Sequence, residues 1–110
     1  MIYVGSPYTH ENPKIVEDRY NLVLAYCAHL FKKGTVCFSP VVHCHEIAKR
    51  FFLPTDALFW RGYNMAMLRR AETLHVLCLE GWMLSTGLRT ERDMANDLFI
   101  PTYYINWPLC

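Results

Sequence analysis

Residues 73–79 read TLHVLCL. A continuous apolar run of this kind, closed by Glu80-Gly81, marks a strand buried on both of its faces. Such a strand needs helices above and below it, and the neighbouring stretches supply them. Pro54-Thr55-Asp56 opens a helix that runs to Ala71, and GWMLSTGLRTERDMANDLFIP (81–101) reads as another after a small-residue turn. Farther out, IYVG (2–5) is a short strand ended by Gly5-Ser6-Pro7, and TVCFSP (35–40) is a second strand stopping at a proline. Between them a long helix from about Pro13 to Lys33 carries the apolar stripe Val16, Tyr20, Val23, Leu24, Cys27, Leu30 and Phe31, with Gly34 just beyond its end. A short helix is expected over Val42–Phe51, and Pro101–Ile105 gives a last strand. Strands and helices alternate without hairpin signals. The expectation is one domain over 1–110, an α/β, Rossmann/flavodoxin-like three-layer sandwich whose mainly parallel sheet has about four to five strands.

The composition fits that expectation and removes several functions. The 110 residues are 53% hydrophobic and 19% charged, which excludes a disordered chain. A net charge of +1, with basic residues adjacent as isolated pairs at Lys32-Lys33, Lys49-Arg50 and Arg69-Arg70, offers no stripe for a nucleic acid polymer or an anionic membrane. No apolar run is long enough to span a bilayer, and MIYVGSPYTH lacks the basic region of a signal peptide. The five cysteines, Cys27, Cys37, Cys44, Cys78 and Cys110, include no CxxC pair. A reduced, cytoplasmic protein is expected. The aromatic content of 15% fits a ligand pocket or an oligomer interface, and a homodimer or larger homo-oligomer is expected.

In parallel sheets, ligands bind beyond the carboxyl ends of the strands, near the point where strand order reverses. Those ends are Gly5-Ser6-Pro7-Tyr8, Ser39-Pro40-Val41-Val42-His43 and Glu80-Gly81-Trp82. One residue past the third is out of keeping with its surroundings. Leu88, Glu91, Ala95 and Leu98 share one helical face, and the second of them is a carboxylate. Glu91 is either a surface glutamate on a slightly different helix phase or a pocket carboxylate near a helix N-terminus, ionised and nucleophilic. Ser85-Thr86-Gly87 is a helix cap, an anion site, or both. His43-Cys44-His45-Glu46 has the residue types of a metal cluster without its spacing; a histidine turned toward a phosphate or a sugar hydroxyl is the stronger reading. Asp56 is an N-terminal helix residue or a catalytic acid. Asn64 is an amide in partly buried company, and Trp82 is a core residue or a platform for a base.

Together these residues resemble the nucleoside 2-deoxyribosyltransferase superfamily. The likeness is carried by Tyr3-Val4-Gly5-Ser6-Pro7-Tyr8 and by Ser85-x-Gly87-x-x-x-Glu91 followed by Ala95 and Ile100-Pro101. It is nearest to a subgroup of short, mostly uncharacterised bacterial and phage proteins, through PYTH (7–10), FSPVVHCH (38–45), DALFW (56–60) and GWMLSTGLRTE (81–91). The resemblance implies cleavage of the N-glycosidic bond of a 2′-deoxynucleoside or its 5′-monophosphate through a covalent glycosyl-Glu91, with water or a second base as acceptor. It implies that Tyr3 holds the nucleophile, that Gly5 and Ser6 let the backbone approach the substrate, and that Ser85 and Gly87, with Arg89 in reach, bind a 5′-hydroxyl or 5′-phosphate. Asp56, Asn64 or His45 would contact the base or sugar, and Asn106 or Trp107 would close the site. No metal or organic cofactor is required, and the partner is a small nucleoside or nucleotide. The sequence departs from the superfamily at Asn64, where an aspartate is common; an amide cannot protonate a leaving base as a carboxylic acid does. A non-catalytic nucleotide-binding or interaction module on the same fold is the alternative, and a redox or metal protein built on the cysteines, His43 and His45 is a third.

Overall fold

The computed structural model describes residues 1–108, with the backbone alone at residue 57. Cys110 lies outside the described residues. The elements run β1 (Ile2–Gly5), α1 (Pro13–Lys32), β2 (Cys37–Phe38), α2 (Pro40–Phe51), α3 (Ala57–Leu68), β3 (Thr73–Leu77), a 3-10 turn (Trp82–Leu84), α4 (Thr86–Asp97) and β4 (Thr102–Ile105). Four parallel strands in the order β2-β1-β3-β4 form one sheet. Helices cover both of its faces, giving the expected single-domain, three-layer α/β sandwich.

Local sequence explains most element ends. Asn12 caps α1, Ser39 caps α2 and Asp56 caps α3, each side chain accepting a backbone N–H of the first turn. Pro40, expected to end a strand, instead opens α2 two residues earlier than predicted, because a proline at the first helical position sacrifices no hydrogen bond. The second strand is accordingly reduced to Cys37–Phe38.

The chain turns from β1 to β2 on one side and later passes to β3 and β4 on the other. With a common crossover hand, that reversal sends helices to opposite faces. Alternation along β1 shows the two sides: Tyr3 packs with Leu68, Leu74, Val76, Leu88 and Ala95 under α3 and α4, while Val4 packs with Val23, Tyr26, Cys27 and Leu30 of α1. On β3, Leu74 and Val76 face the first cluster and Leu77 the second, so the run that opened the sequence reading is buried on both sides. Among the described residues no helix is long and apolar enough to cross a membrane.

Candidate active site

The carboxyl ends of β1 and β3 lie side by side at the point of reversal, and a cleft of about 610 Å³ opens there. Ser6 and Tyr8 enter it from the loop after β1, Cys44 from α2, Asn64 from α3, and Ser85 and Glu91 from the region after β3.

Glu91 arrives by helix geometry. Gly81 takes a left-handed φ of 82°, the 3-10 turn follows, and Ser85 Oγ caps α4 by accepting the Leu88 N–H at 3.2 Å. Leu88 and Ala95 are then 1% and 0% exposed, and Glu91 sits between them on the same face. Leu98, expected to continue this face, ends the helix and is 41% exposed. The carboxylate reaches the sheet because position 5 is glycine: a Cβ there would stand 2.9 Å from Leu88 Cδ1 and 3.5 Å from Glu91 Oε1. Beneath it the buried Tyr3 hydroxyl donates to Glu91 Oε2. Two opposed effects act on the carboxyl group. Burial disfavours its charge and the Tyr3 hydrogen bond favours it; burial wins, and the pKa is pushed up to about 7. Tyr3 is pushed upward as well, chiefly by its own burial, so the phenol keeps its proton and remains a donor. Glu91 remains partly open to the cleft. Such a group can act as a nucleophile or a base near neutral pH.

Around it the cleft is polar in a particular way. Thr86 and Gly87 line it at the start of α4, where first-turn N–H groups have no partner within the helix. Ser6 Oγ and Asn64 Oδ1 are buried and, among the described residues, have no hydrogen-bond partner. An orphaned buried oxygen costs about 1–3 kcal/mol, so two of them lining one cleft fit donors supplied by a ligand. Arg61 of α3 contributes a cation to the lining.

A family model, described as "Domain of unknown function (DUF1937)", matches residues 1–102, a span that takes in every residue lining the cleft. The chain belongs to that family. No curated protein matches it.

In this DUF1937 chain the other expected site residues divide. Asp56 lines the cleft, and its Oδ1 accepts the Phe59 N–H at 2.8 Å, so one of its oxygens caps α3. Gly5 and Pro7 are buried beside the cleft without lining it. His43 and His45 stand two apart on α2, hence on opposite sides of that helix. His43 is exposed and stacks on Tyr63 at 5.3 Å, away from the cleft. His45 is buried behind Tyr8, its two ring nitrogens paired with the Tyr8 hydroxyl and Glu17; neither imidazole reaches the cleft lining. Among the described residues no three His, Cys, Asp or Glu side chains are grouped to hold a metal ion. Trp82 packs on Tyr104 beneath the Arg92 guanidinium, and Arg89 is exposed; neither lines the cleft. Trp107 donates to the Leu22 carbonyl on the α1 face instead of closing the site.

Two arginines escaped the sequence reading. Nothing in its sequence neighbourhood singled out Arg61 among the scattered basic residues. Arg19 of α1 donates to the carbonyls of Tyr8, Thr9 and Glu80, strapping the loop after β1 to the loop after β3. No local pattern announces a contact of that separation in the chain.

Proposed function

We propose that the cleft cleaves the N-glycosidic bond of a 2′-deoxynucleoside or its 5′-monophosphate, with Glu91 attacking C1′, as the resemblance to nucleoside 2-deoxyribosyltransferases implies. The observation that carries the reading is the Glu91 carboxylate, held by Tyr3 at the bottom of a cleft of about 610 Å³, room for one nucleotide. A carboxylate below C1′ traps the oxocarbenium-like transition state as a glycosyl ester, and an acceptor then releases the sugar. The α4 N-terminus, Ser85 and Gly87 supply a site for a 5′-phosphate, with Arg61 in place of Arg89 as the nearby cation. This favours a nucleoside 5′-monophosphate and water as the acceptor. No cofactor enters this chemistry.

The four described cysteines are free, which supports a reducing, cytoplasmic setting. Exposed Leu58 and Leu84 at the mouth, with Met83 beside them, support a homo-oligomer that covers this rim.

Base release from 2′-deoxynucleosides and their 5′-monophosphates, with and without an acceptor base, tests the reading. Release by wild type and none by Glu91→Ala is the expected result, and acceptor dependence separates transferase from hydrolase. Binding of nucleotides without release would favour the non-catalytic module, a reading that Asn64 supports because it replaces the superfamily's aspartate with an amide.

A further inference from the structure

Departure of a nucleobase calls for a proton, and Asn64 does not supply one. The other groups lining the cleft are poorly suited. Asp56 is exposed and caps α3 through Oδ1, the Cys44 thiol is directed at the Val41 carbonyl of its own helix, and Arg61 is a cation on the side suited to an anion. Tyr8 remains. Its hydroxyl lies 2.6 Å from His45 Nδ1, and His45 Nε2 lies 2.9 Å from Glu17 Oε1. His45 is only 4% exposed, and the Tyr20 ring stacks on it at 4.0 Å. Lys49 Nζ approaches the same Glu17 oxygen at 3.5 Å. The hydrogen bond from His45 holds the Glu17 carboxyl below the usual carboxylate range, so Glu17 stays anionic behind the imidazole. The result is an unbroken line from the cleft through phenol and imidazole to a carboxylate at the surface. Arg19 fixes its inner end by holding the Tyr8 carbonyl.

We propose that Tyr8 is the proton-transfer residue of the cleft, passing a proton between substrate and the His45–Glu17 pair behind it; this rests on the glycosidic reading of Glu91. In the first step His45 carries protons on both ring nitrogens. The C1′–N bond breaks with its electron pair going to the base, and a Glu91 oxygen bonds to C1′. The base takes the Tyr8 proton, and Nδ1–H refills the phenol. In the second step water gives a proton to the Tyr8 oxygen while the phenolic proton returns to Nδ1. The water oxygen bonds to C1′, and the C1′–Glu91 bond breaks to restore the carboxylate. The sum is nucleotide plus water giving base plus sugar, with the enzyme unchanged. Burial pushes the Tyr8 pKa up to about 12, so the phenol is protonated at rest and the geometry, with His45 Nδ1 at 2.6 Å, is what lets it pass a proton on in concert. Tyr8 is catalytic in this scheme, while His45 and Glu17 act through it.

The test compares wild type, Tyr8→Phe and Glu17→Gln on a deoxynucleoside 5′-monophosphate and on 4-nitrophenyl 2-deoxyriboside 5-phosphate, whose leaving group departs without a proton. Intact mass records any glycosyl-enzyme, and azide serves as an acceptor that needs no base. Tyr8→Phe is expected to lose about 100-fold or more in base release. It should still give a nitrophenol burst, accumulate glycosyl-Glu91 and turn over again with azide. Glu17→Gln, a partly exposed surface change, should lose about tenfold in base release from the nucleotide, leave the nitrophenol burst rate unchanged and alter the pH profile, read with Lys49, Tyr20 and Cys44 intact. Wild-type base release combined with equal losses in base release and in the nitrophenol burst rate, or with no loss in either variant, overturns the Tyr8 relay alone. Should Tyr8→Phe fail to fold, Glu17→Gln decides by the same leaving-group comparison. No base release by wild type removes the glycosidic reading and the relay with it.

Discussion

The Tyr3 hydroxyl donates a hydrogen bond to Glu91 Oε2 across 88 positions of sequence, joining the strand beneath the cleft to the helix beside it. That bond favours the ionised carboxylate while burial opposes it. Tyr3→Phe removes the favourable part and leaves the burial. The acid limb of the pH–rate profile should move up by about one pH unit, with activity at pH 7 falling several-fold and recovering at higher pH. An unmoved limb would mean that the Tyr3 bond does not tune the nucleophile.

Stability should carry the same signature. The Glu91 pKa is about 7 in the folded protein against 4.5 for a free carboxyl group. Between these values the native state holds a proton that the unfolded chain has released, so stability falls as pH rises from 4.5 to 7. The full cost, about 3 kcal/mol, is reached above pH 7. Glu91→Gln keeps an acceptor for Tyr3 and cannot ionise. In urea titrations it should be the more stable protein at pH 8 and should lack that part of the slope.

Gly5→Ala should be costly out of proportion to one methyl group. Its Cβ would meet Leu88 Cδ1 at 2.9 Å and Leu74 Cδ1 at 3.3 Å, both in the packed layer under α4. Overpacking of this kind costs about 1–3 kcal/mol. Because Glu91 Oε1 lies 3.5 Å away, base release should fall more than thermal stability does.

Arg19 bonds three backbone carbonyls in two loops with one guanidinium, Nη1 to Tyr8 and Thr9 and Nη2 to Glu80. Arg19→Lys cannot reproduce that fork and should behave much like Arg19→Ala. Both should lose about 1–2 kcal/mol and speed amide exchange in the loops after β1 and β3. Exchange unchanged in those loops would show that the strap is dispensable.

Phe99 follows α4 with φ 56° and is 93% exposed. A left-handed conformation suits glycine, and the aromatic ring gains little from packing there. Phe99→Gly should therefore stabilise the protein by about 0.5–1 kcal/mol, seen as a higher urea midpoint.

How much of this was legible depends on the range of the interaction. The apolar run at 73–79 was legible as a doubly buried strand because desolvation acts on each residue locally. The cap at Ser85 was legible because its partner lies three positions away. Glu91 stood out because helical periodicity brings it onto the face of Leu88 and Ala95. The end of β2 and the start of α2 were misplaced because proline stops a strand and starts a helix equally well.

The sequence by itself determined the order of elements, the parallel sheet and one carboxylate on an apolar helix face, all consequences of periodicity, capping and burial within a few residues. Only the tertiary structure decided what meets that carboxylate. It placed Tyr3 beneath Glu91, set Arg61 and not Arg89 at the cleft, sent Trp82 and His43 elsewhere, and lined up Tyr8, His45 and Glu17 from three separate segments. Those pairings follow from strand order and helix packing, which join residues far apart in the chain, and no local spacing encodes them.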